Sequence, residues 1–130
     1  MSQTKANLGQ KEAKNEKASE EQLSHMEGSA SGITDVKTKT ADALRAAEAD
    51  PGASAVLLAV VREFDKKADK AIGQTNTPSA IREAIVELEQ AGDSAKAAAE
   101  ADAGLSDATR KAVLDAHLAI CIAKSKLPPP

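Results

Sequence analysis

The run from Asp50 to Gly73, DPGASAVLLAVVREFDKKADKAIG, constrains the fold more than any other stretch of the chain. Asp50 is placed to cap a helix, Pro51 suits its first position, and Gly73 suits a left-handed turn just past its end. At about 100° per residue, Leu57, Val60, Val61, Phe64, Ala68 and Ala71 share one face, with Arg62, Lys66 and Lys70 opposite. Val56 and Leu58 widen the apolar arc of the first half until little polar surface is left. Such a helix needs neighbours on several sides. It is either the central helix of a bundle or one that meets a partner molecule.

The rest of the chain limits what those neighbours can be. Hydrophobic residues make up 42% of the 130, but more than half of them are alanines, and Phe64 is the single aromatic residue. Aromatic side chains bury the largest areas in ordinary cores, so this core is thin and relies on Leu, Ile, Val and close alanine contacts. Association is a natural way to add buried surface. The net charge of −3, without a basic face or stacking aromatics, argues against a nucleic-acid partner. The lone Cys121 excludes an intramolecular disulfide and fits a reducing compartment. No signal peptide is visible at the start, and the longest apolar run, near Ala53 to Val61, is far short of the roughly 18 residues of a membrane span. A cytoplasmic protein is expected, with export without a cleavable signal as the alternative.

Residues 1–32 read as a disordered polar leader, because Met1, Leu8, Leu23 and Met26 offer too little to bury. In composition this start is similar to the leaders of type III secreted proteins. The GSASG run from Gly28 to Gly32 reads as a flexible hinge ahead of a bundle domain over 33–127, with a Pro-rich end at 128–130.

Four capped amphipathic segments follow, at 35–49, 51–72, 78–103 and 106–126. Thr34 is expected to cap the first, which turns Ile33, Val36, Ala43, Leu44 and Ala47 inward. Thr77 with Pro78 opens the third, where Ile81, Ala84, Ile85 and Leu88 lead into a stripe of Ala91, Gly92, Ala95 and Ala99. Gly92 either bends one long helix or breaks it before Asp93, and the single helix is the expectation. Ser106 caps the fourth, which Pro128 stops. Short connections favour antiparallel neighbours, so the expected fold is all-α: a small antiparallel bundle of about four helices behind a disordered N-terminal tail. No repeat of fixed period is expected.

Chemistry finds little support. His117 and Cys121, four apart, form the one pair suggestive of nucleophilic or metal chemistry, but two residues supply at most half a zinc site. They read as a buried thiol and a hydrogen-bonded core histidine. There is no Glu-x-x-His motif, no inward carboxylate pair and no phosphate-cradling glycine loop. No catalytic, cofactor or metal residue is assigned, and no enzyme activity is expected.

The apolar surplus points instead to association. Val56, Leu58, Leu118 and Ile122 lie off the sides that a thin core can cover, which makes them the candidate surface on the central and last helices. Glu83 and Glu87, on an acidic third helix, form a second candidate surface that would suit a basic partner. The expected function is a non-enzymatic protein–protein interaction module of adaptor, chaperone or secreted-effector type. The alternative is a self-assembling structural subunit of a filament, capsid or secretion apparatus.

Overall fold

The computed structural model describes residues 28–127. They form an antiparallel four-helix bundle: α1 (28–49), α2 (Ala55–Ile72), α3 (Pro78–Ala101) and α4 (Asp107–Ser125). The reading of 1–27 as a disordered leader, and of 128–130 as a Pro-rich end, lies outside the described residues. Each helix follows its neighbour up and down. α2 packs on α3 and α3 on α4, while α1 closes the ring by touching α2 through Lys37 and Asp65 and α4 through Gly32 and Ala123. α2 and α4 therefore stand diagonally across the bundle.

The caps explain where the helices start. The Thr77 hydroxyl accepts from the amide of Ala80 at 3.0 Å, and Ser106 from that of Thr109 at 3.2 Å, as expected. α2 departs from expectation. Its cap is Ser54, which accepts from Leu57 N–H at 3.1 Å, so Asp50 and Pro51 belong to the preceding loop. Gly73 ends α2 in a right-handed conformation and not in a left-handed one. α3 passes through Gly92 unbroken. A Cβ there would sit 3.1 Å from Ile120 Cγ2 and 3.2 Å from Phe64 Cζ, so the glycine makes room for two core side chains at its cost in helix propensity.

The expected hinge at Gly28–Gly32 is helix instead. Its small residues serve close approach: Ser29 is buried with its hydroxyl 3.4 Å from the Lys126 carbonyl, and a Cβ at Gly32 would lie 2.7 Å from Ala123 Cβ. Thr34 consequently caps nothing, and its hydroxyl donates to the Ala30 carbonyl inside α1.

The core also shows a repeat that periodicity along the chain did not reveal. Asp50 and Asp102 are 52 positions apart (102 − 50), and the segments AAEADPGAS (46–54) and AAEADAGLS (98–106) share that offset. The buried residues of α1 and α3 match one for one under it: Ser29 with Ile81, Ile33 with Ile85, Val36 with Leu88, Thr40 with Gly92, Ala43 with Ala95, and Ala47 with Ala99. So do those of α2 and α4: Leu57 with Thr109, Val61 with Val113, Phe64 with Ala116, Ala68 with Ile120, and Ala71 with Ala123. The molecule is two helical hairpins of one design, α1–α2 and α3–α4, set about an approximate twofold.

Candidate functional site

The two hairpin loops meet at one end of the bundle. Asp50 accepts from Gly52 N–H in its own loop and from Ser106 N–H in the other, both at 2.9 Å. Asp102 returns the arrangement, accepting from Gly104 N–H at 3.2 Å and from Ser54 N–H at 2.9 Å. Reciprocal contacts of this kind are what a twofold produces. The amide donors of Ser106 and then Gly52 hold the Asp50 carboxyl down at about 2. The Ser54 amide does the same for Asp102, whose pKa is also lowered. The loops touch backbone to backbone, since a Cβ on Gly52 would fall 1.9 Å from the Gly104 carbonyl oxygen. These groups form a structural latch.

The approximate twofold makes two equivalent grooves between the hairpins, one along α2 and α3, the other along α4 and α1. Their linings differ. In the α2–α3 groove Lys70 and Lys67 reach Glu87 at 3.4 and 4.0 Å and span it with ion pairs. Under the 52-residue offset Lys66 becomes Leu118, Lys67 becomes Ala119, Lys70 becomes Ile122 and Glu87 becomes Asp35. The α1–α4 groove thus has an apolar floor where its twin has lysines. It has a volume of about 370 Å³, with Lys39, Asp35 and Asp115 on its rim. Leu118 is 56% exposed and Ile122 47%. Asp115 is held ionised, its pKa lowered first by the hydrogen bond from Lys111 and also by the charge of Lys39.

The structure divides the four apolar candidates. Leu118 and Ile122 share this groove. Val56, 68% exposed, lies at the latch end beside Ala98 and Ala101 of α3. Leu58 is partly buried against the core. One surface shared by α2 and α4 does not exist, because diagonal helices turn their outer faces away from each other. Val86 and Ile72 are further exposed apolar residues that the sequence reading passed over.

The acidic candidates also separate. Glu87 is engaged by Lys67 and Lys70, Glu89 by Lys124 at 2.8 Å, and Asp93 by His117 at 2.9 Å, so the bundle's own bases answer much of the acidic α3 face. Glu83 stays at the surface. Cys121 is exposed and not a buried thiol, because its position on α4 faces outward. Its Sγ lies 3.9 Å from both ring nitrogens of His117, whose Nε2 is already bonded to Asp93. Among the described residues no group of three His, Cys, Asp or Glu is arranged to hold a metal ion. Nor is any helix among them long and apolar enough to cross a membrane.

No protein-family model matches the chain, and no curated protein or solved structure is similar enough to it to mark a relative.

Proposed function

We propose that this protein is a non-enzymatic interaction module whose α1–α4 groove receives an amphipathic helix of a protein partner. One observation carries the reading. Two grooves of equivalent position are lined differently, the first spanned by Lys67, Lys70 and Glu87, the second floored by Leu118, Ala119 and Ile122. Apolar side chains replace lysines where solvent exposure alone would favour the lysines. A groove between two helices is the geometry into which an apolar helical stripe lies, with anchors at i, i+3 and i+4. The rim asks for a basic residue opposite Asp35 and Asp115 and an acidic one opposite Lys39.

The test is the exchange that the twin groove suggests. In a Leu118→Lys, Ile122→Lys variant the α1–α4 groove takes the lysines found at Lys66 and Lys70. Lysine is a good helix former and both positions are exposed, so circular dichroism and urea unfolding should match the wild type within about 0.5 kcal/mol. Burial of a Leu or Ile side chain contributes about 1.5–3 kcal/mol. A partner captured by the full chain and titrated with purified protein should therefore bind at least about tenfold more weakly to the variant. Unchanged affinity with an intact fold would rule the groove out. Unfolding of the variant would show that Leu118 and Ile122 are core.

A further inference from the structure

We propose that the two hairpins exchange between copies of this chain, giving a dimer in which α1–α2 of one copy packs on α3–α4 of the other. The proposal commits to a second copy because each hairpin already sits on a hairpin of its own design, with buried positions that agree one for one. The latch is equally indifferent to which chain supplies its halves. Asp50 to Ser106 and Asp102 to Ser54 join one hairpin to the other, and none of these bonds needs the two to be covalently linked.

A single segment joins the hairpins, the connection over 73–77 at the end away from the latch. Its Gly73, Asn76 and Thr77 are exposed. In the exchanged dimer every helix contact is regained, and so are both latch bonds between hairpins, Asp50 to Ser106 and Asp102 to Ser54. A short, exposed connection between two hairpins that pack on each other is where exchange begins.

Exchange changes what the molecule displays. Each bundle of the dimer would carry an α1–α4 groove made from α1 of one copy and α4 of the other. If the groove binds as proposed above, the dimer presents two such sites on one particle, and a bivalent partner gains avidity without any new contact.

Two measurements on the full chain decide it. The first uses a variant lacking residues 73–77, which joins Ile72 directly to Pro78 and leaves nothing to turn the chain back. Sedimentation should find it a dimer with the helical content of the wild type. The second labels the exposed Cys121 of two wild-type batches with donor and acceptor dyes, mixes them, opens the bundle in mild denaturant and dilutes the denaturant away at high protein concentration. Energy transfer confined to a species of dimer mass is expected. A monomeric or unfolded deletion variant overturns the proposal, as does wild type without energy transfer after opening. The same exchange run with Leu118→Lys separates the two readings. Dimers should form as in the wild type whether or not the groove binds a partner, and their loss would show dimerisation through the groove, which also overturns hairpin exchange.

Discussion

The two grooves of this bundle share helices of equivalent register and differ in their linings, with Lys66, Lys67 and Lys70 of α2 matched by Leu118, Ala119 and Ile122 of α4, and Lys39 of α1 matched by Ala91 of α3. Along α2–α3, lysines extend over the groove and meet Glu87. Along α1–α4, Leu118, Ala119 and Ile122 stand in their places. Exposed ion pairs contribute little to stability, often under about 1 kcal/mol, so the lysine version is cheap to keep and soluble. The apolar version gains nothing from water. The comparison teaches where to look for function in a protein built twice: at the position where one copy departs from the other against its own solubility.

The comparison requires that the hairpins really are held as equivalents, and the largest effect expected is on the latch. Gly52→Ala places a Cβ 1.9 Å from the Gly104 carbonyl, backbone against backbone, and the reverse change, Gly104→Ala, places one 2.8 Å from the Gly52 carbonyl. Overpacking of this kind costs about 1–3 kcal/mol. Urea unfolding should show Gly52→Ala as the more damaging of the two. Equal and negligible losses would mean that the loops part freely and the hairpins are not locked as a pair.

A gain of function sharpens the comparison. Lys66→Leu with Lys70→Ile writes the α1–α4 floor into the α2–α3 groove. Calorimetric titration with a partner of the α1–α4 groove should then show a second site, weaker by roughly tenfold because Lys67 remains. Unchanged stoichiometry would show that the apolar floor alone is insufficient.

Acid tests the equivalence of the two latch carboxylates more gently. Both are held below the ordinary value of 3.8, Asp50 at about 2. Their contribution to stability is complete above pH 3.8 and declines as the pH falls through the folded value, with Asp50 the last to protonate. Thermal melts from pH 5 to pH 2 should fall less steeply for Asp50→Asn than for the wild type. A parallel decline would mean that the amide hydrogen bonds do not depend on the charge.

The smallest effect belongs to Cys121. It is exposed and its thiol stands at 3.9 Å from a histidine that is committed to Asp93. Cys121→Ala should shift stability by less than about 0.5 kcal/mol and leave partner binding intact. A large loss of binding would extend the groove surface to this side of α4.

Helix number, two of the starts and the inward faces were legible because they depend on local signals: Thr77 with Pro78, Ser106, and the 3.6-residue spacing of Leu57, Val61, Phe64, Ala68 and Ala71. Ile33, Val36, Ala43 and Ala47 are buried as read, and Leu44 is partly so. What failed was local chemistry put to non-local use. Asp50 has the credentials of a cap and Gly28–Gly32 those of a hinge, yet Asp50 answers a loop that lies 56 positions away and Gly32 makes room for α4. The groove was half legible. Leu118 and Ile122 stand out by their position on α4, but Asp35, Lys39 and Asp115 join them only through the closure of α1 onto α4. The signal that would have found the groove was the string AAEAD-x-G-x-S, written twice. Two occurrences set no period along the chain, and the faces on either side of them have diverged.

The latch has a consequence for how the helices find their depth along one another. Alanine seams such as Ala95, Ala99, Ala116 and Ala123 are smooth, and a smooth seam tolerates a slide with little change in buried area. A slide of one helical turn, about 5.4 Å, would strip Asp50 from Ser106 and Asp102 from Ser54 together. The paired loops thus act as a vernier. Bulky interlocking side chains set the register in a richer core; here the fit of Phe64 and Ile120 against Gly92 is joined by two aspartates and two glycines that fix it from the tip of the bundle.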